Sequence, residues 1–127
     1  MSDFNYMAAF KKFEDILAWQ KARKAAKKVY EATSKTDFAK DFPLRDQIRR
    51  STISVMANIA EGHGRNSNKE FVNFLNFAHG SALETQSHLY IALDLDYMDK
   101  ADFDELYNLM DEISRMVMGL MKHLRSA

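Results

Sequence analysis

The sequence predicts an all-α protein with a single hydrophobic core. Only one proline and four glycines interrupt its 127 residues, and good helix formers fill the stretches between them. Apolar residues recur at spacings of three and four along most of the chain, and no long run alternates as a strand does. A chain of this length buries roughly two-thirds of its unfolded surface, which is enough for one core.

The composition excludes several classes of function. The chain has no cysteine, so disulfides, thiolate catalysis and cysteine-based zinc or iron–sulfur sites are excluded. Its start lacks a basic segment followed by a long apolar run, and no stretch approaches the ~20 apolar residues that span a bilayer. These features predict a cytoplasmic protein that does not enter a membrane.

Charge is distributed unevenly along the chain, although the net charge is zero. Residues 1–65 hold 13 Lys and Arg against 8 Asp and Glu, whereas residues 66–127 hold 5 against 10. This polarity indicates either a basic surface for an anionic partner or two complementary surfaces that meet when subunits associate. The sequence leaves both interpretations open.

The predicted helical domain covers residues 13–127 and follows an N-terminal tail, residues 1–12, that shows no sustained period. The first helix is predicted from Phe13 to about Lys35. Five cations lie on its polar arc without an intervening acid: Lys21, Arg23, Lys24, Lys27 and Lys28. Such an arc is commonly a solvated face, but its density also fits a surface that follows phosphates.

A linker is predicted at residues 36–42, and Pro43 suits the first turn of a second helix that runs to about Glu61. The core-facing stripe of this helix is Leu44, Ile48, Thr52, Val55, Met56 and Ile59. A polar stripe lies beside it: Gln47, Arg50, Ser51, Ser54, Asn58 and Glu61. Buried polar groups cost stability unless they are paired, so this stripe indicates a structural network with neighbouring helices.

Gly62 is predicted to end the second helix in the left-handed conformation. In the loop that follows, Gly64 and Arg65 meet the exposed amides of the next helix, which is a weak signal for an anion site. Ser67 and Glu70 have the spacing of a capping box, which places the start of the third helix at about Asn68.

The third helix is predicted to run to Leu95 and is apolar on two sides. The first side is Phe71, Leu75, Ala78, Ala82, Thr85, Leu89 and Ala92. The second side is Phe77, Ser81, Glu84, His88, Ile91 and Leu95. A helix with two such sides needs two partners, which lie either within its own chain or on another subunit.

The fourth helix carries the most regular heptad of the chain, and Asp99 is predicted to cap its start. The heptad positions are Phe103, Leu106, Met110, Ile113, Val117, Leu120 and Leu124. This pattern predicts burial in the core, at a subunit interface, or at both.

One hypothesis for the function is an enzyme or a metal protein, and it depends on Glu61, Glu84 and His88. Glu84 and His88 are one turn apart and have the chemistry of an acid–base pair or of metal ligands. Di-iron bundles use a Glu-x-x-His spacing, however, and this spacing occurs nowhere in the chain. We therefore predict a structural pair, and no catalytic, cofactor or metal site.

Three strings resemble the four-helix-bundle family of 23S rRNA intervening-sequence proteins. They are FEDILAWQKARKAAKKVYE (Phe13–Glu31), LRDQIRRSTISVMANIAEGHGR (Leu44–Arg65) and FLNFAHGSALET (Phe74–Thr85). The resemblance implies an antiparallel, up-down-up-down four-helix bundle that assembles into a ring, a homopentamer, without catalytic activity. It also implies kinship with the accessory variability protein of diversity-generating retroelements, a similar bundle that binds nucleic acid and partners a reverse transcriptase.

The first hypothesis for function is therefore a non-enzymatic oligomer that binds RNA or DNA. The residues predicted to contact nucleic acid are Lys21, Arg23, Lys24, Lys27, Lys28, Arg45, Arg49 and Arg65. The residues predicted to form a structural polar network are Gln47, Arg50, Ser54, Asn58, Glu61, Ser81, Glu84 and His88. The alternative is a protein-interaction scaffold that docks an enzyme such as a reverse transcriptase or polymerase.

Overall fold

The computed structural model describes residues 10–126 and is all-α, with no strand in that range. A 3₁₀ turn at Phe13–Asp15 precedes five helices: α1 Leu17–Thr33, α2 Thr36–Lys40, α3 Phe42–His63, α4 Asn68–Asp94 and α5 Lys100–Arg125. The predicted helical class is thereby confirmed. Of the predicted tail, residues 1–9 lie outside the described range.

Each of the four long helices packs against two others. Helix α3 packs against α1 and α4, and α5 packs against α4 and α1. Lys21 pairs with Glu112 and Lys28 pairs with Glu105, so contacts between α1 and α5 occur in opposite chain order and these helices run antiparallel.

The core consists of two apolar clusters along these helices. The heptad side of α5 and the first side of α4 are buried at every predicted position, which confirms both predictions. The apolar residues on the second side of α4 are left about half exposed by residues 10–126, since Phe77, Ile91 and Leu95 are 51%, 48% and 51% exposed. Ser81, on the same side, donates a hydrogen bond to Ser54 of α3.

The predicted linker at residues 36–42 is wrong, because it contains α2 and the first residue of α3. Phe38 of α2 is buried, and its ring stacks on Tyr97 at a centroid distance of 5.1 Å. The hydroxyl of Tyr97 donates a hydrogen bond of 2.9 Å to Asp41, which caps α3. The segment is helical because these contacts from a distant part of the chain hold it.

The first helix also differs from the prediction. The residues from Phe13 form a 3₁₀ turn, and Ile16 is extended, with φ −76° and ψ 118°, before α1 begins. This extended residue turns its side chain into the core, where Ile16 is only 2% exposed.

Two predicted caps are confirmed. The Ser67 side chain accepts a hydrogen bond of 3.1 Å from the Glu70 amide, and Asp99 accepts one of 2.8 Å from the Asp102 amide. In the first cap, the Glu70 carboxylate accepts from the Ser67 hydroxyl and not from its amide as the capping box predicts.

The predicted left-handed Gly62 is wrong, because this residue lies inside α3. An ideal Cβ on Gly62 falls 2.8 Å from Phe74 Cβ and 2.9 Å from Phe71 Cδ1. Gly62 is therefore required by the close approach of α4. Within residues 10–126, the left-handed conformation occurs at Asp96, with φ 59°, in the turn between α4 and α5.

We predict that alanine substitutions at Gly62 and Gly119 change stability in opposite directions. Gly62→Ala overpacks the α3–α4 contact and lowers the free energy of unfolding by about 1–3 kcal/mol. At Gly119, inside α5, an added Cβ meets no atom within 4 Å, so Gly119→Ala raises it by about 0.5–1 kcal/mol. Urea unfolding of both variants measures the difference, and destabilisation by Gly119→Ala contradicts the packing described here.

Candidate nucleic-acid interface

The cations of α1 are divided between two edges of the helix. Lys21 and Lys28, two turns apart, face α5 and form ion pairs there with Glu112, at 3.2 Å, and Glu105. The hydrogen bond from Lys28 holds the pKa of Glu105 below its usual value, and the same bond raises the pKa of Lys28. These two positive charges are therefore compensated within the chain.

The other edge of α1 faces α3. Arg23, Lys27 and Tyr30 are spaced by four and three residues, so they share one stripe. The guanidinium of Arg49 on α3 lies 4.4 Å from the ring centroid of Tyr30, which is 40% exposed. Arg23 lies 5.9 Å from the ring centroid of Trp19 in the same way.

The structure brings α1 and α3 together around a shallow groove of about 330 Å³. Its lining residues are Tyr30, Asp46, Arg49, Arg50 and Ile53. Arg49 is fixed there because its Nε donates a hydrogen bond of 2.7 Å to Thr33 Oγ1, and a second nitrogen donates to Ser34 Oγ at 3.2 Å.

Three cations near this groove have no acidic partner within the described residues. Lys27 and Arg50 are exposed and form no ion pair among these residues, and Arg49 contacts hydroxyl groups and the Tyr30 ring but no acid. Of these residues, Arg50 is predicted from the sequence to join a structural network, and Tyr30 is not among the predicted site residues. Both residues join the groove because α1 packs against α3, and no local sequence pattern reveals that packing.

The remaining predicted cations lie elsewhere or are engaged. Lys24 is exposed and close enough to Glu105 to lower the pKa of that carboxyl further. Arg45 pairs with Asp46 at 3.0 Å and donates to the Ala39 carbonyl.

Arg65, in the loop where an anion site is predicted, has two partners within the chain. Its guanidinium pairs with Glu61 at 2.8 Å and lies 4.7 Å from the ring centroid of Phe74. Its charge is therefore partly balanced by the acid on the preceding turn.

The predicted polar network is resolved into separate groups. Asn58 Nδ2 donates to the Ser54 carbonyl at 2.8 Å and to Ser54 Oγ at 2.9 Å, and Ser81 donates to the same Oγ. Glu84 and His88 form a pair on α4 at 3.2 Å. Glu61 is engaged by Arg65, while Gln47 and Arg50 are exposed.

One buried hydrogen-bonded pair between α3 and α4 is not among the predicted polar contacts. Ser51 Oγ and Thr85 Oγ1 are 2.8 Å apart across the α3–α4 contact. The sequence places Thr85 on the apolar side of α4. Its hydroxyl is the one feature that could have predicted a hydrogen bond there, because the other residues on that side have apolar side chains.

Across residues 10–126, the grouping of metal-ligating side chains and the apolar length of the helices bear on other classes of site. No group of three or more His, Cys, Asp or Glu side chains is arranged to hold a metal ion in that range. Nor does any described helix have the length and apolar character needed to cross a membrane.

The helices and the groove define an all-α protein with an exposed, cation-lined surface and an uncovered apolar side. The family described as 23S rRNA-intervening sequence protein matches residues 14–119. The match covers most of the chain, so the chain belongs to this family, and the resemblance of its three strings is confirmed.

A solved structure shares the fold. It is the crystal structure of a protein with unknown function from the S23 ribosomal protein family of Bacteroides thetaiotaomicron VPI-5482. The two chains are 27% identical, and the match has a TM-score of 0.77 and covers 84% of this chain and 99% of the other. No curated protein matches the chain.

We predict that the Lys28–Glu105 ion pair stabilises the fold fully in the pH range between the ordinary pKa of Glu and the ordinary pKa of Lys. Glu105 has a lowered pKa, so its contribution is present above the usual Glu value and is lost as the pH falls through the lowered one. Lys28 has a raised pKa, so its contribution is present below the usual Lys value and is lost as the pH rises through the raised one.

The measurement is the urea midpoint of the protein and of Glu105→Gln at neutral pH and at about pH 3, which lies below the usual Glu pKa. The loss on acidification is smaller in the variant. Because both groups are exposed, 1 M salt reduces this difference between the two proteins. An equal loss in both proteins at low salt contradicts the prediction.

Proposed function

We propose that this chain is a non-enzymatic, cytoplasmic protein that binds RNA or DNA through the groove between α1 and α3. In this proposal the four long helices form an antiparallel, up-down-up-down bundle. Several bundles assemble into a ring, and the family resemblance implies five. The observation that carries the proposal is the set of uncompensated cations, Lys27, Arg49 and Arg50, around the exposed ring of Tyr30.

The chemistry of this groove suits a nucleic-acid strand. Lys27 and Arg50 are free to contact phosphates, and a base that stacks on an aromatic ring or a guanidinium contributes about 1–3 kcal/mol. No aromatic ring lies among the cations of the α1 arc, but Tyr30 lies on the edge of α1 that faces α3, where packing brings Arg49 of α3 onto its ring.

A ring explains how a chain without net charge binds a polyanion. One groove offers only a few cations, but copies repeated around a ring act on one nucleic acid and raise its avidity without new contacts. The exposed apolar residues of α4, Phe77, Ile91 and Leu95, support an interface between subunits.

The same apolar side supports a second candidate function, a scaffold that docks an enzyme such as a polymerase. In that case the side is covered by a different protein, and association survives treatment with nuclease. The mass of the purified protein distinguishes the two, because a scaffold of this kind has no need to self-associate through α4.

We predict that Lys27→Gln/Arg50→Gln weakens RNA binding. The probe is a fluorescein-labelled RNA hairpin with a single-stranded loop, titrated at several salt concentrations. We expect a loss of affinity on the order of tenfold at low salt and a salt dependence that is shallower by about one unit for each removed cation.

The control for this variant is Lys100→Gln/Arg115→Gln, which removes the same two residue types from α5, where both are paired with acids. This control retains the affinity and the salt slope of the unmodified chain. The nucleic-acid proposal is wrong if both double variants bind the hairpin equally well.

We predict that Phe77→Ser/Ile91→Ser reduces the mass of the assembly in light scattering. Both residues are about half exposed in a single chain, so the substitutions leave the fold intact while they remove apolar area from the interface. Leu83→Ser, at an equally exposed position on another side of α4, is the control. An unchanged mass in the double variant refutes this interface.

A further inference from the structure

A second groove runs between α4 and α5, where α4 begins and α5 ends. Two adjoining cavities of about 540 Å³ and 450 Å³ share Asn76 and Arg125 as lining residues. The groove extends along α4 from Lys69 to His79, which is about 15 Å of helix. Val72, on α4, and Met121, on α5, give it apolar walls.

The charges around this groove are unusual for their half of the chain. Residues 66–127 carry 5 Lys and Arg against 10 Asp and Glu. Two of these cations, Lys100 and Arg115, are paired with acids on their own helix. The other three line the groove and form no ion pair within the described residues: Lys69, Lys122 and Arg125.

One acid, Glu70, lines the groove, and its carboxylate accepts a hydrogen bond from the Ser67 hydroxyl. The three unpaired cations outnumber it and indicate an anionic occupant, and the rest of the lining indicates which kind. No Phe, Tyr or Trp ring lines the groove, so it lacks the stacking surface that Tyr30 offers in the groove between α1 and α3. Asn73 and Asn76 present amides, each of which donates and accepts hydrogen bonds as a peptide backbone does. His79 lies in the same wall, and its Nδ1 has no hydrogen-bond partner among the described residues.

Methionine and glycine complete the surface. Met118 is about half exposed, and its flexible side chain adapts to apolar groups of different shape. Gly119 leaves open space beside it, since an added Cβ there meets no atom within 4 Å.

We propose that this groove binds a peptide segment of a partner protein, in which acidic residues alternate with apolar ones. The acidic side chains pair with Lys69, Lys122 and Arg125, and the apolar ones lie on Val72, Met118 and Met121. The asparagine amides bind the peptide backbone. This site is separate from the groove between α1 and α3 and does not depend on nucleic-acid binding.

The test is fluorescence anisotropy of the full chain with three labelled pools of seven-residue peptides. In the first pool Asp or Glu alternates with Leu, Ile, Met or Phe. In the second pool Lys replaces the acids, and in the third Ser replaces the apolar residues. We expect saturable binding of the first pool only. The proposal is overturned if the first pool does not bind, or if another pool binds equally well.

Two variants test the site itself. Lys122→Gln/Arg125→Gln lowers affinity for the first pool at least tenfold. Gly119→Leu fills the groove without changing any charge, and it also lowers affinity for the first pool at least tenfold. Lys100→Gln/Arg115→Gln, which removes paired cations of the same helix, leaves peptide affinity unchanged.

Two further results decide between a peptide and other occupants. RNA affinity is unchanged in Gly119→Leu, and the RNA hairpin does not displace the peptide. Displacement by RNA identifies the groove as a nucleic-acid site and overturns the proposal. A smaller assembly in Gly119→Leu identifies the groove as a contact between copies of the chain, and this result also overturns the proposal.

Discussion

The close contact between α3 and α4 is the constraint on which the rest of the structure depends. At one end of this contact the absence of a side chain at Gly62 admits the ring of Phe71 and the Cβ of Phe74. Further along, the small side chains of Ser51 and Thr85 meet through a hydroxyl pair 2.8 Å apart. Small residues let the two backbones approach, and the Ser51 and Thr85 hydroxyls pair with each other, which offsets the cost of burying them. Larger apolar side chains fill the core mainly from α5.

This contact also determines what the surface offers. Because one face of α4 lies in the core beside α3, its second apolar side points away from the chain and leaves Phe77 and Ile91 exposed. Packing of α1 between α3 and α5 divides its cations in a similar way. The edge toward α5 meets Glu105 and Glu112. On the edge toward α3, no α1 cation forms an ion pair among the described residues, and Arg49 of α3 meets the Thr33 hydroxyl and the Tyr30 ring of α1 instead. The position of a cation around its helix therefore decides whether its charge is compensated.

Much of the fold was predictable because its signals are local. Helical spacing, the heptad of α5 and the caps at Ser67 and Asp99 each depend on residues within one or two turns. The helix α2 was not predictable, since Phe38 is held by Tyr97, far along the chain. Gly62 was misread because a glycine near a helix end suits both a left-handed cap and a close approach of helices, and only the partner helix distinguishes them.

The candidate interface was only partly predictable for the same physical reason. Counting cations on α1 treats Lys21 and Lys27 alike, although one has an acidic partner on α5 and the other has none among the described residues. Net charge is equally uninformative here, because ion pairs neutralise some cations and leave others unpaired. Unpaired cations line two grooves that differ in one chemical respect. The groove at Tyr30 has an aromatic ring on which a base can stack, while the groove at Asn76 has amides and methionine instead. Two surfaces of the same sign can therefore select different anions, one by stacking and the other by hydrogen bonds to a backbone.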